Sequence, residues 1–184
     1  MQERDRNAVT LVLGGARSGK SRWAQDLAGK YERVAYLATA QALDGEMQEK
    51  IRRHQEDRPK HWQTFEEPLE LAKVIAVEAA AFDIILVDCM TLYVANLTEN
   101  EEAEPGSMEA RIESLLDVLR AGPVSIILVS NEVGSGVVPP YPAGRIYRDA
   151  LGELNQRVAA VADNVVLMVA GLPLTLKGNV GAQA

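Results

Sequence analysis

Residues Val9 to Ser21 read VTLVLGGARSGKS, and this segment is the most informative about the fold class. Gly14, Gly19, Lys20 and Ser21 occupy the four fixed positions of the phosphate-binding loop (P-loop), G-x-x-x-x-G-K-[ST]. The glycines allow the backbone to bend around a polyphosphate, so that successive N–H groups point inward. The motif therefore predicts a nucleotide-binding protein.

The residues on both sides of the loop supply the context that this motif requires. An apolar run of β-forming residues over 9–13 predicts a strand, and the spacing over 21–30 predicts a helix. We expect Lys20 to reach the β- and γ-phosphates and the Ser21 hydroxyl to bind Mg²⁺. The alternative is a glycine-rich turn that binds nothing, but such a turn does not need lysine and serine at these offsets.

Composition limits the other possibilities. The chain has 184 residues, enough for a single domain with a substantial core, and its one cysteine, Cys89, allows no intrachain disulfide. The net charge of −7 argues against nucleic acid as a partner. Neither a signal peptide nor a transmembrane segment is predicted, so we expect a cytoplasmic protein, with flexible ends at 1–7 and 178–184.

Strand and helix patterns alternate along the rest of the chain. Strands are predicted at 33–38, 83–88, 124–130 and 165–169, helices at 45–57, 69–81, 89–97, 108–120 and 145–162, and a strand or a loop at 62–66. The alternation predicts a single-domain α/β fold of the P-loop (RecA-like) class, with a largely parallel central sheet flanked by helices.

Four further expectations concern the loops and one helix face. The acidic segment 99–106 and the proline-rich segment 137–144 are predicted to be loops. Ile146 is expected on the inward face of its helix. A turn at 170–173 should lead into a short tail without regular structure.

Asp88 ends the buried run Ile84 to Val87, so we expect it at the carboxyl edge of the sheet. A carboxylate there can hold Mg²⁺ or polarise a nucleophile, or it can cap the helix that follows, and these roles are compatible. Arg17 lies inside the loop, where it can steady a polyphosphate or simply pair with a surface carboxylate.

His54 is a candidate nucleophile. It shares a predicted helix face with Met47 and Ile51, which on periodicity alone favours a core histidine. Its surroundings favour attack on a phosphate instead, because basic residues cluster around it in an acidic protein. These residues are Lys50, Arg52, Arg53, Arg58 and Lys60.

Seven motifs, in one order over nearly the whole chain, resemble a known family. They are GGARSGKS (14–21), ATAQ (38–41), IRRH (51–54), RPKHW (58–62), VDCMTL (87–92), NEVGSGVVP (131–139) and YRDALGELNQ (147–156). The chain resembles the bifunctional adenosylcobinamide kinase / adenosylcobinamide-phosphate guanylyltransferase family of cobalamin biosynthesis. Residues 140–144 (PYPAG) depart from the more acidic segment expected there, at a loop outside the nucleotide site.

The resemblance implies two reactions. ATP or GTP phosphorylates the aminopropanol hydroxyl of adenosylcobinamide, and GMP then passes from GTP through a histidine to that phosphate, giving adenosylcobinamide-GDP. It implies that His54 is the nucleophile, that His61 is not, and that the protein is a homo-oligomer, a trimer. The implied nucleotide contacts are Gly14, Gly15, Ala16, Arg17, Ser18, Gly19, Lys20, Ser21, Thr39, Ala40, Gln41, Gln55, Glu56, Asp57, Arg58, Glu66 and Asp88, with Ser21 and Asp88 also holding Mg²⁺.

Two other functions stay open on the sequence. A monofunctional small-molecule kinase would use the same loop, Mg²⁺ and Asp88 without a covalent step. A nucleotide-dependent switch would need a residue that positions water, for which the chain offers only Thr39 and Gln41. The sequence leaves undecided the preference for ATP or GTP in the kinase step, the corrinoid site and the kinase base.

Overall fold

The computed structural model of the protein describes residues 7–41 and 58–180. The predicted helix at 45–57 lies outside these residues, and so do four candidate site residues within it. These are His54, Gln55, Glu56 and Asp57.

Seven strands and five helices are present in the described part of the chain. In order they are β1 (Val9–Gly14), α1 (Lys20–Ala28), β2 (Val34–Ala38), β3 (Gln63–Glu66), α2 (Leu71–Glu78), β4 (Ile84–Asp88), α3 (Met90–Glu101), α4 (Ser107–Ala121), β5 (Ser125–Asn131), α5 (Pro142–Val161), β6 (Asn164–Val169) and β7 (Leu172–Lys177). The segment 62–66, left open between strand and loop, contains β3. No helix among these is both long and apolar enough to cross a membrane.

All the strands form one sheet in the order β3-β2-β4-β5-β1-β6-β7. The first six strands are parallel, and β7 is antiparallel to β6. Parallel strands place their carboxyl ends at one edge, so the phosphate loop after β1 and Asp88 at the end of β4 share that edge. The predicted α/β fold with a largely parallel sheet is confirmed.

The sheet is covered on both faces. One face packs on helices α2 to α5, and the other packs on α1 through Ala24 and Ala28. Successive residues of β4 alternate between these cores: Ile85 lies in the first and Leu86 in the second. Burial on both faces explains the uninterrupted apolar run before Asp88, and the alternation places the Asp88 side chain on the α1 face with Leu86.

The predicted loop at 99–106 is wrong for its first three residues, because α3 extends to Glu101. The Glu101 carboxylate accepts hydrogen bonds from the backbone N–H groups of Met108, at 2.8 Å, and Gly106. These bonds lower the pKa of Glu101. This acidic residue therefore ends one helix and caps the start of the next, so that the connection between them is short.

Helix α5 begins at Pro142, three residues earlier than predicted, with proline in the first turn where its missing N–H is tolerated. The inward position expected for Ile146 is wrong, because its side chain is 59% exposed. The neighbouring Tyr147 turns inward and donates a hydrogen bond to the Thr91 carbonyl at 3.2 Å. Burial raises the Tyr147 pKa to about 12. Tyr147 lies four residues before the buried Leu151, which sets the inward face one position away from Ile146.

The expected tail after 170–173 is wrong, because Leu172–Lys177 forms β7. The turn consists of Ala170 and Gly171, which have φ angles of 52° and 82°. Two consecutive positive φ angles match the twist of an antiparallel hairpin. The turn itself is predicted, but the hairpin is not, because the turn begins with alanine, whereas Asn-Gly or Asp-Gly would have indicated a hairpin.

Candidate nucleotide-binding site

The loop between β1 and α1 is shaped by close backbone contacts. A Cβ on Gly14 would lie 2.8 Å from the Met168 carbonyl oxygen, so only glycine fits beside β6. Gly19 has a φ of 95° and directly precedes α1. The Gly171 amide donates to the Ser18 carbonyl at 3.0 Å, which ties the loop to the β6–β7 turn. The loop is therefore fixed at both ends, while Gly15, Ala16 and Arg17 at its crest are exposed.

Lys20 is held across the loop. Its Nζ donates to the Gly15 carbonyl at 3.0 Å. Burial lowers the Lys20 pKa, and the nearby Cys89 and Asp88 groups oppose that shift. A phosphate placed in the loop would supply the negative charge that a partly buried ammonium favours. The ammonium is thus positioned for an anion.

Asp88 lies at the end of β4, and Ala38 of β2 is its partner across the sheet. Its Oδ2 accepts a hydrogen bond from the Tyr36 hydroxyl at 2.9 Å. Asp88 does not cap α3: the residue at the N-cap position is Cys89, and its amide donates to the Thr39 hydroxyl. The capping interpretation is therefore excluded, and the carboxylate is held by a tyrosine instead.

Tyr36 belongs to a buried aromatic cluster beside Asp88. The Arg58 guanidinium lies over the Tyr36 ring with its Cζ 3.5 Å from the centroid, and Trp62 stacks on the ring at 6.5 Å between centroids. Burial, and then the charge of Asp88, raise the pKa of Tyr36, so its hydroxyl stays protonated and donates. Arg58 also donates to Thr64 at 3.3 Å.

Sequence reasoning missed Tyr36. A signal was available, because a tyrosine inside a buried strand needs a hydrogen-bond partner for its hydroxyl. Tyr36 and Leu86 are partners across β2 and β4, and Asp88 lies two residues beyond Leu86 on the same face. That alternation points to Asp88 as the partner.

Thr39 is fully buried and its hydroxyl is used within the protein. It donates to the Cys89 carbonyl at 2.7 Å and accepts from the Cys89 amide at 3.0 Å. The Asn96 side chain donates to the Thr39 carbonyl. These bonds join the ends of β2 and β4 at the edge where the phosphate loop lies.

Gln41 and Glu66 are exposed near the same edge. Glu66 is paired with Ala38 at the end of β3, and the next residue, Glu67, donates its amide to the Ala38 carbonyl. The structure thus brings together the loop 14–21, the segment 39–41, Glu66 and Asp88 along the carboxyl ends of four strands. Arg58 joins them from the α1 face of the sheet.

The donor set suits Mg²⁺ bound together with a nucleotide. Magnesium in such sites is held by one or two protein groups, substrate phosphates and water. Ser21 in the first turn of α1 offers a hydroxyl, and Asp88 on the α1 face offers a carboxylate whose charge partly opposes the lowering of the Lys20 pKa by burial. In residues 7–41 and 58–180 there is no group of three or more His, Cys, Asp or Glu side chains suited to a metal.

These features define the protein as a P-loop nucleotide-binding protein with an α/β fold. Solved structures support that class. The chain resembles a prototypical ATPase from the type III secretion system of pathogenic bacteria and the EscN ATPase of enteropathogenic E. coli, each with a TM-score of 0.59, at 13% and 12% identity. The alignments cover 92% and 89% of this chain but only 57% and 43% of those longer chains, so the likeness is one of fold.

The family follows from sequence similarity. The sequence profile of the CobU family, described as cobinamide kinase / cobinamide phosphate guanyltransferase, matches residues 10–176. Bifunctional adenosylcobalamin biosynthesis protein CobP of Pseudomonas aeruginosa is 49% identical over 92% of this chain and 97% of its own length. The CobU proteins of Salmonella typhimurium and Escherichia coli are 42% and 39% identical, over 92% of this chain and 99% of theirs. The chain belongs to the cobinamide kinase / cobinamide phosphate guanyltransferase family.

Proposed function

We propose that the protein phosphorylates adenosylcobinamide and then converts the phosphate to adenosylcobinamide-GDP with GTP. The observation that carries this proposal is the nucleotide site just described, in a chain of this family: Lys20 is fixed across a phosphate loop that shares the carboxyl edge of the sheet with Asp88. Relatives that match over 97% or more of their own lengths carry the name of a bifunctional protein, which supports both activities.

In the kinase step, the substrate hydroxyl attacks the γ-phosphorus of ATP or GTP, and the bond to the β-γ bridging oxygen breaks. Lys20 and the free N–H groups at the start of α1 bind the phosphate oxygens where negative charge develops. Mg²⁺, held by Ser21 and Asp88, would neutralise phosphate charge when it is bound. The direct transfer requires no nucleophile from the protein.

In the guanylyl step, an imidazole nitrogen of His54 attacks the α-phosphorus of GTP, and diphosphate leaves. The product is GMP joined to histidine through a P–N bond. A phosphate oxygen of adenosylcobinamide phosphate then attacks the same phosphorus, and the histidine is released unchanged. His54 lies outside the described residues, and its assignment rests on the IRRH motif. Arg58, four residues later, supports it, because it lies over Tyr36, which hydrogen-bonds Asp88.

The test is covalent labelling with α-³²P-GTP in the absence of acceptor. We expect the wild type to gain a label that is stable in alkali and labile in acid, as a phosphoramidate is. His54→Asn should abolish that label and the guanylyl transfer while leaving phosphorylation of adenosylcobinamide largely intact. His61→Asn is the matched control, because it replaces the other histidine of the chain, seven residues away.

Each alternative has its own result. A label that persists in His54→Asn and disappears in His61→Asn would move the nucleophile to His61. An unlabelled wild type that still phosphorylates adenosylcobinamide would indicate a monofunctional kinase. GTP turnover without either activity would indicate a nucleotide-dependent switch.

We also propose a cytoplasmic homo-oligomer, with the trimer taken from the family resemblance. The edge strand β7 supports self-association, because Leu172, Leu174 and Leu176 are 71%, 55% and 56% exposed. A single cysteine supports a reducing compartment. Light scattering of the purified protein measures the assembly, and a monomeric mass at micromolar concentration would contradict it.

A further inference from the structure

The carboxylate that we assign to the metal is held by one protein hydrogen bond among the described residues. The Tyr36 hydroxyl donates to Asp88 Oδ2 at 2.9 Å. Tyr36 is 2% exposed, so its ring is fixed by packing and its hydroxyl has little freedom to turn away. The hydrogen bond therefore fixes the orientation of the Asp88 side chain at the end of β4.

The Tyr36 ring is held in place by groups from a different part of the chain. The Arg58 guanidinium lies over the ring, 3.5 Å from Cζ to centroid, and Trp62 stacks on it. Arg58 is itself bonded to Thr64 of β3. A ring held in this way cannot tilt without disturbing Arg58 or Trp62.

Within residues 7–41 and 58–180, the bond also leaves the second oxygen of the carboxylate available. A carboxylate has two oxygens, and the tyrosine uses Oδ2. Asp88 ends β4 at the carboxyl edge of the sheet, which also carries the phosphate loop, and its side chain lies on the α1 face. Because the two oxygens share one rigid plane, fixing Oδ2 restricts the orientation of Oδ1 as well.

We propose that Tyr36 is a positioning residue that orients the Asp88 carboxylate for the Mg²⁺-nucleotide complex. The inference rests on the proposed function, in which Asp88 holds the metal. Tyr36 itself touches neither metal nor nucleotide and acts through Asp88 alone. Its removal should weaken metal binding more than nucleotide binding, and should do so only when Asp88 is present.

The experiment compares Tyr36→Phe with Tyr93→Phe. Both tyrosines are buried, but the Tyr93 hydroxyl has no hydrogen-bond partner in the described part of the protein. Each substitution removes one buried oxygen and preserves the ring, so Tyr93→Phe is matched in size and burial. Metal binding is measured directly, as Mn²⁺ bound in the presence of a non-hydrolysable GTP analogue and followed by electron paramagnetic resonance. The Mg²⁺ dependence of both activities is measured alongside.

We expect Tyr36→Phe to weaken Mn²⁺ binding and raise the half-saturating Mg²⁺ concentration about tenfold, the effect of losing a hydrogen bond to a charged group. Tyr93→Phe should leave both unchanged. In an Asp88→Asn background, Tyr36→Phe should add no further loss, because the two residues act as one unit.

Three results would overturn the proposal. Equal metal affinity in Tyr36→Phe and Tyr93→Phe would show that the hydroxyl does not orient the carboxylate. An additional loss in the Asp88→Asn background would show that Tyr36 acts by another route. A Tyr36→Phe protein that melts far below Tyr93→Phe would make the hydroxyl structural.

The wild type separates this proposal from the one on which it rests. If the wild-type nucleotide complex binds no Mn²⁺, the assigned metal site is wrong and the proposed function fails with it. If the wild type binds Mn²⁺ and Asp88→Asn does not, while Tyr36→Phe binds normally, only the role of Tyr36 fails.

Discussion

The two edges of the sheet differ in how their polar groups are used. At the amino edge, Asp163 accepts the Val9 amide at 2.8 Å, and Asp83 holds both the side chain and the amide of Arg33. At the carboxyl edge, Ser18 Oγ and Asn131 Oδ1 are buried without a partner in the described structure. The polar side chains named at the amino edge are hydrogen-bonded within the protein. Those named at the carboxyl edge are still available to hydrogen-bond a ligand.

This difference has an energetic meaning. A buried polar group without a partner costs about 1–3 kcal/mol. The unpartnered groups at the carboxyl edge, where the phosphate loop lies, therefore reduce the free energy of unfolding. Groups left in that state gain when a ligand supplies the missing partner. Substitutions at the carboxyl edge should therefore change activity, and substitutions at the amino edge should change stability.

The largest effect is expected for Lys20→Ala, which should lower both activities by about 10²–10³-fold because it removes a positive charge aimed at the phosphates. The melting temperature of the variant should equal that of the wild type, since partial burial disfavours the charged form of Lys20 and its removal therefore does not destabilise the fold. Rates and thermal unfolding of the purified variant measure this. Lys177→Ala is the control at the amino edge, where the ammonium bonds the Ala159 and Ala160 carbonyls. Normal activity in Lys20→Ala would show that the loop binds no reacting phosphate.

Asp88→Asn should raise the half-saturating Mg²⁺ concentration by about tenfold or more, because the amide keeps the size of the carboxylate but loses its charge. A magnesium titration of the initial rate measures the change. Asp163→Asn is the matched substitution at the opposite edge and should leave the titration unaltered. Equal titrations for Asp88→Asn and wild type would remove Asp88 from the metal site.

Asp163→Ala should reduce the free energy of unfolding by about 1 kcal/mol, because it removes the acceptor of the Val9 amide. For a chain of this length that corresponds to a fall in melting temperature of about 2–4 °C. Calorimetry measures the shift, and both activities should be unchanged at 25 °C. A loss of activity without a loss of stability would contradict the division between the edges.

The smallest effect concerns acid stability. Hydrogen bonds from Arg33, first from its side chain and then from its amide, lower the Asp83 pKa. A folded-state pKa below the unfolded value, about 3.9, stabilises the protein above that pH, and the contribution is lost as the pH falls through the folded value. We expect thermal unfolding of Asp83→Asn to depend less on pH below about 4 than that of the wild type. Parallel curves for the two proteins would show that the Arg33–Asp83 pair does not contribute.

Much of this fold could be predicted because its central strands are buried on both faces. The apolar run before Asp88 and the loop motif at residues 14–21 are each compatible with few structures. The strands, and the sheet edge that the loop and Asp88 share, could therefore be predicted from them. The hairpin to β7 could not be predicted in this way. Its turn begins with Ala170 in a conformation that alanine seldom adopts, and its leucines are exposed.

The site was predictable where chemistry fixes the spacing and less so where packing decides. Lys20 and Ser21 were predicted from their offsets in the motif. Asp88 does not cap α3 and is held by Tyr36 instead. This arrangement depends on the alignment of β2 with β4, which no local sequence pattern encodes. The contact between Arg58 and Tyr36 likewise joins residues that are distant along the chain.

The position of β1 within the sheet has a consequence for how the protein is made. Its neighbours are β5 and β6, so Val9–Gly14 cannot pair until residues 125–131 and 164–169, which follow it in the chain, have been synthesised. The Gly171 amide that fastens Ser18 arrives later still. The phosphate loop is therefore completed only after residue 171 has been synthesised, and a nucleotide can stabilise the folded chain but not a nascent chain that ends before that residue.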